Sequence, residues 1–298
     1  MADAPFPYFG HLMAILNASL WSITVIGFKK MGDRIPPISM NLFKLVIGFI
    51  SLVSTLKVLG IPLIPTAPWQ HYALFCISGI LGIAVADTLF FAGLNILGAG
   101  RSALMECLYS PFVIFFSFLL LGQNISWMDA LGGFFILLSI PLTSKDHRKH
   151  PIGLSDFLKG VGLASSAMAL MALGIVIVTP LLPKYSVFWV TALRTLAGLV
   201  ALGTFSMLRS DRKKIWSIFK PQAIWKLAVP NCFLASYPSM VLWIASFTFA
   251  KANVAALLTQ LSSVFTVLLA VPFLAEPLTR KKIVALVCAM VGVALIFR

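Results

Sequence analysis

The sequence predicts an all-α integral membrane protein of ten transmembrane helices, arranged as two inverted repeats of five. Three observations predict it. Of 298 residues, 60% are hydrophobic and 11% are charged, with a mean hydropathy of +0.99. Soluble domains carry roughly a quarter charged residues, so this chain has too few charges to cover its apolar surface in water. The apolar residues fall into runs close to the roughly 20 residues a helix needs to cross a bilayer. Finally, the second half of the chain repeats the first.

Taken in order, the spans are placed at 9–28, 38–59, 70–96, 101–121, 126–143, 156–182, 187–208, 222–249, 253–274 and 279–297. The opening MADAPFPYFG lacks the basic n-region of a signal peptide, so the first run is read as a retained span. Helix breakers punctuate the links: IPPIS before the second span, GIPLIPTAP before the third, LLPKYS before the seventh. The longest link, SKDHRKHPIGLS (144–155), separates a first unit (1–143) from a second (156–298), with five spans in each.

A shift of 153 positions lays RSALMECLYSPFVIFFSFLLLGQNIS on VAALLTQLSSVFTVLLAVPFLAEPLT without gaps. Ala103, Leu104, Leu108, Ser110, Phe112 and Leu121 then meet identical residues at Ala256, Leu257, Leu261, Ser263, Phe265 and Leu274. At a shift of 150, NLFKLVIG meets TALRTLAG and pairs Lys44 with Arg194. An odd number of spans per copy makes the copies cross in opposite senses, the arrangement of many secondary transporters, with binding near midplane.

These paired segments, with GGFFILLS and MVGVALIF behind them, resemble the EamA repeats of the drug/metabolite transporter superfamily. The resemblance covers nearly the whole chain. It implies ten helices in two inverted bundles and a central cavity lined largely by spans one, three, four, six, eight and nine. It also implies metabolite transport, often export. Where the family usually has Gly-Glu after the fourth span, this chain has Gly122-Gln123; the second copy keeps the acid as Ala275-Glu276, read as structural.

The net charge of +14 and pI near 9.9 do not indicate nucleic acid, because Lys and Arg cluster in short links between spans. Of 23 Lys and Arg, 17 fall on the side opposite the termini and 4 on the side of the termini; Lys44 and Arg194 lie within spans. The positive-inside rule makes the crowded side cytoplasmic and puts both termini outside, in a bacterial cytoplasmic membrane. The family resemblance implies termini inside, so the two arguments diverge.

Intramembrane ionisable residues point to function because they are costly there, about 2.5–3.5 kcal/mol at a helix centre. Glu106 heads the candidates. Ser102, Glu106 and Ser110 recur every four positions on one helix face, and under the 153 shift they meet Ala255, Thr259 and Ser263. Pro111 cannot donate to the carbonyl of Cys107, which frees that carbonyl and bends the helix. Asp87 is either a titrating or counter-charge site or a buried partner of Lys44; its counterpart is Met240. Lys44 either snorkels to headgroups or makes that pair, and Arg194 is expected to be tied to carbonyls or an acid. Asn17, Trp21, Tyr237 and Gln260 complete the cavity candidates, with Pro230 and Pro238 marking a break in the eighth span. Cys76, Cys107, Cys232 and Cys288 show no metal spacing and are read as small apolar residues; no cofactor or metal is expected.

The balance of Asp87 and Glu106 against Lys44 and Arg194 fits an amino-acid-like solute better than a strong anion. The expected function is secondary transport of small amphipathic metabolites, coupled to protons or not, by a monomer in the bilayer. No GxxxxGK[ST] motif occurs, so ATP is not hydrolysed by this chain. A membrane-embedded enzyme is disfavoured, since HExxH and GxSxG are missing; a non-transporting scaffold is the remaining alternative.

Overall fold

The computed structural model describes residues 6–122, 124, 126–139, 152–250, 255 and 258–296. The basic run His147–His150, Gln123 and Lys251 lie outside the described residues. The first half comprises α1 (Phe9–Gly32), α2 (Pro37–Val58), α3 (Trp69–Gly79), a π-helical segment (Ile80–Val85), α4 (Ala86–Leu97), α5 (Ala99–Glu106), α6 (Tyr109–Leu121) and α7 (Trp127–Ser139). The second comprises α8 (Leu154–Val176), a 3₁₀ turn (Thr179–Lys184), α9 (Val187–Leu208), α10 (Arg212–Trp216), α11 (Trp225–Ser236), α12 (Pro238–Phe249), α13 (Leu261–Leu274) and α14 (Arg280–Ile296).

Among the described residues every regular element is helical, and seven helices are long and apolar enough to cross a membrane. Lipid permits this because an α-helix satisfies its own backbone groups. Prolines start several helices where their missing N–H costs nothing: Pro37 opens α2 and Pro238 opens α12. Outer faces carry Ile50, Phe118, Leu119, Val200 and Leu208, all exposed, which suits contact with acyl chains rather than water. Between α9 and α11 the short α10 buries Ile215 and leaves Arg212, Lys213 and Lys214 exposed. The indole N–H of Trp216 there donates to Ser206 Oγ at 3.0 Å. Beside it, hydrogen bonds from Arg209 at 2.7 and 3.0 Å hold the Asp211 carboxyl below its ordinary pKa.

Helix packing is unchanged when the halves are exchanged. Helix α4 packs on α8 as α12 packs on α1; α6 packs on α8 as α13 packs on α1; α3 packs on α9 as α11 packs on α2. The pairs α2–α9 and α7–α14 each join an element to its own counterpart. Local backbone features recur as well. Gly122 (φ 65°) ends α6 and Ala275 (φ 51°) ends α13, both left-handed and related by the 153 shift. Gly adopts that conformation without penalty, whereas Ala carries a Cβ that crowds it. The π segment Ile80–Val85 sits where the second copy has the break at Tyr237 (φ −113°, ψ −81°).

Candidate functional site

The site is built where two interrupted helices meet. After α5 the chain makes a tight turn at Cys107–Leu108: Leu108 N–H donates to Met105 O at 3.0 Å and Ser110 N–H to Cys107 O at 3.4 Å. Because Ser110 N–H goes to Cys107, the carbonyl left over is that of Glu106. The side chain of Gln260 fills the vacancy, donating to Glu106 O at 3.4 Å and to Ser110 Oγ at 3.0 Å. Its counterpart Cys107 reciprocates, with its thiol donating to Ser263 Oγ at 3.6 Å. In the second copy Ser263 N–H bonds to Gln260 O at 3.0 Å, the same turn. Pro111 is matched there by Val264, so the interruption does not depend on proline. The expected freeing of the Cys107 carbonyl is corrected accordingly.

Glu106 therefore stands at the C-terminal end of α5, buried, with one carboxylate oxygen receiving the Trp21 indole N–H at 3.1 Å and the Ser262 hydroxyl at 3.4 Å. Its other oxygen, Oε1, is buried without a hydrogen-bond partner. No ion pair to Glu106 occurs among the described residues. Ser102, one turn before Glu106 in the same helix, is buried and does not line the cavity.

Asp87 opens α4 directly after the π segment, where the wider turn has displaced backbone carbonyls. Asn41, on α2, answers them: its amide donates to Ile83 O at 2.9 Å, Ala84 O at 3.1 Å and Thr88 Oγ1 at 2.9 Å. One turn on, Lys44 forms an ion pair with Asp87, and both side chains are almost fully enclosed, at 1% and 3% exposure. That disposes of snorkelling for Lys44. Its ammonium also lies 5.5 Å from the Phe91 ring centre. Arg194 is buried, stacks over Trp243 at 5.4 Å and interacts electrostatically with Asp87 and Tyr109. Its Nε and Nη1 have no hydrogen-bond partner, so its link to an acid is the electrostatic one to Asp87, beside the stacking on Trp243.

Trp21, Asp87, Glu106, Arg194 and Gln260 border a cavity of about 100 Å³. The amino-acid sequence matches the EamA-like transporter family twice, over residues 8–145 and 158–298. The chain belongs to the EamA-like transporter family. Among curated proteins none matches it. Of the solved structures, 24 chains are similar. One, a crystal structure described only as that of a protein, superposes with a TM-score of 0.72 at 16% identity, covering 96% of this chain and 94% of that one; at that identity the likeness concerns the fold alone.

In this EamA-like transporter the cavity takes its walls from both repeats. Gly82 faces Ala235's position in the other copy, and Asp87 with Met240, Glu106 with Thr259 and Tyr109 with Ser262 are likewise related by the 153 shift; all line the cavity. Of the residues expected from sequence, Asn17, Trp21, Asp87, Glu106, Arg194, Thr259 and Gln260 line it. Four expected residues do not. Lys44 lies behind Asp87, while Ser110 and Ser263 are occupied in the reciprocal contacts with Gln260 and Cys107. Tyr237 turns its hydroxyl to Thr55, at 2.7 Å, on α2. Sequence reasoning missed Trp243, Ser262, Tyr109 and the methionines Met168, Met171 and Met240. Ser262 and Tyr109 were within reach, since each follows a named candidate by three positions in the paired segments. The other aromatics and methionines carry no signal that separates a cavity wall from packing.

Proposed function

We propose that this EamA-like transporter is a secondary carrier that moves small amphipathic, amino-acid-like solutes outward by alternating access between two inverted five-span halves, 1–143 and 156–298. The observation that carries the reading is a carboxylate and a guanidinium, each with unpartnered polar atoms, in one cavity lined by both repeats. Arg194 offers planar N–H donors to a solute carboxylate, the geometry at which Arg excels. Glu106 offers Oε1 to an ammonium. Met168, Met171, Met240 and Trp243 receive an apolar side chain, since thioethers adapt to varied shapes. Asp87 is already neutralised by Lys44, which leaves the free pair balanced and favours a zwitterion over a net anion. When the solute is absent, Glu106 is the group able to carry a proton in its place, which couples export to a proton gradient. The carrier works as a monomer in a bacterial cytoplasmic membrane, and the loop charges put its termini outside.

The test is flux in proteoliposomes loaded with apolar and aromatic amino acids, small amines and nucleosides, with and without a pH gradient. Protein-dependent movement of the amino acids, accelerated by the gradient in wild type and indifferent to it in Glu106→Gln, is expected. A Glu106→Gln protein with wild-type flux and pH profile refutes the role of the acid. Cysteine labelling that places residues 210–214 outside refutes the orientation.

A further inference from the structure

Glu276, at the turn after α13, is read from sequence only as a structural end-of-helix acid, yet it contacts the start of the helix that ends in Glu106. It is buried, and its carboxylate receives the backbone N–H groups of Ala99 at 2.8 Å and Gly100 at 3.2 Å. Lys282 donates to the same carboxylate at 3.1 Å. Ala99 and Gly100 are the first residues of α5, whose orphan amides favour an anion. Glu106 is the last residue of α5. All eight residues between and including those ends are buried, so α5 is a packed rod about 12 Å long. The second repeat grips it at both ends: Glu276 at its start, Gln260 and Ser262 at its finish. The approach is close enough that a Cβ on Gly100 would come within 2.9 Å of Glu276 Oε2 and 3.2 Å of Lys282 Nζ.

The counterpart of this arrangement lacks both acids. Under the 153 shift Glu106 corresponds to Thr259, and Glu276 corresponds to Gln123. The two departures from repeat symmetry therefore coincide on one helix. We propose that Glu276 is a positioning residue for Glu106, acting through α5: it fixes the rod axially, and so sets how far the Glu106 carboxylate projects toward Trp21 and the cavity. The inference concerns the acid of the proposed transport site, but it is tested without any solute, so missing flux leaves it standing and its failure leaves the transport reading standing.

The full chain is labelled with 5-fluorotryptophan in lipid nanodiscs, and the Trp21 fluorine resonance is assigned with Trp21→Phe. Glu106→Gln is expected to displace that resonance, because the indole N–H loses a carboxylate acceptor. Glu276→Ala is expected to displace it by at least half as much, although Glu276 does not touch Trp21. Gly100→Ala should do the same by pushing the carboxylate away, and Glu276→Asp should fall between wild type and Glu276→Ala. Trp216→Phe, which removes a hydrogen bond on the peripheral α10, should leave the Trp21 signal in place. A Trp21 resonance unmoved in Glu276→Ala overturns the proposal, as does equal movement in Trp216→Phe. If Glu276→Ala does not fold, the Glu276→Asp and Gly100→Ala proteins decide: both unmoved overturns it, displacement supports it.

Discussion

Replacing Lys44 with Met strands Asp87 in the interior, and the structure sets the size of the effect. The pair is enclosed almost completely, so solvent cannot take over the role of the lysine. Removing one partner of such a pair typically costs about 3–5 kcal/mol, because the surviving charge is left uncompensated. The lower end applies here, since Arg194 interacts with Asp87 from the cavity side and offsets part of the loss. Asp87→Asn strands the lysine instead, with the Phe91 face as its remaining partner at 5.5 Å, a contact worth about 0.5–2 kcal/mol. The double variant Lys44→Met/Asp87→Asn removes both charges and should be close to wild type, giving a coupling of about 2 kcal/mol or more. Reversible unfolding in mixed detergent–SDS micelles, followed by far-UV circular dichroism, measures each arm. Two results refute the reasoning: Lys44→Met as stable as wild type, or a double variant less stable than both singles.

Two further outcomes follow from backbone features. Asn41→Leu leaves the Ile83 carbonyl of the π segment without its side-chain donor, while Ala84 O keeps the Thr88 hydroxyl at 2.7 Å, and should cost about 1–3 kcal/mol in the same unfolding assay; no loss would mean that the segment relaxes to an ordinary helix. Ala275→Gly relieves a left-handed φ of 51° and should stabilise by about 1 kcal/mol, whereas Gly122→Ala at the related position should destabilise by a similar amount; unchanged stability in both would refute the strain.

Much of the fold was legible because lipid enforces a simple grammar. Long apolar runs, proline-bounded links and a gapless repeat sufficed to mark the helices and to pair α5 and α6 with the segment around α13. The 153 shift also brings Glu106 and Thr259 into register, with Gln260 next to Thr259. What the pattern could not convey was helix continuity. Ser102 and Glu106 share a face of α5, but Ser110 lies beyond the turn at Cys107–Leu108, and the four-residue spacing alone carries no sign of that turn. Asn41 carries no signal for a related reason: its function is to answer carbonyls displaced by a π turn, and neither GIAVADTLFFAG nor NLFKLVIG advertises one. The sequence leaves Lys44 open between headgroups and Asp87, because depth in a span does not fix the direction of a flexible side chain.

The two repeats agree in backbone and disagree in charge, and that division bears on the proposed mechanism. The turn at Cys107 recurs at Gln260, the π segment has its match in the break at Tyr237, and Gly122 has its match in Ala275. A scaffold whose halves share the same interruptions can exchange their conformations at little backbone cost, so both access states lie within reach. Were the charges equally repeated, neither state would be distinguished by its solute. Asp87 and Glu106 instead correspond to Met240 and Thr259, all four lining the cavity, and under the proposed mechanism a solute held between Glu106 and Arg194 meets different partners in the two states. A ligand shifts a two-state equilibrium only by its difference in affinity for the states. Under alternating access the unrepeated acids supply that difference. Installing the missing acid with Thr259→Glu should reduce it, slowing net flux while solute binding persists; faster net flux in that variant would refute the argument.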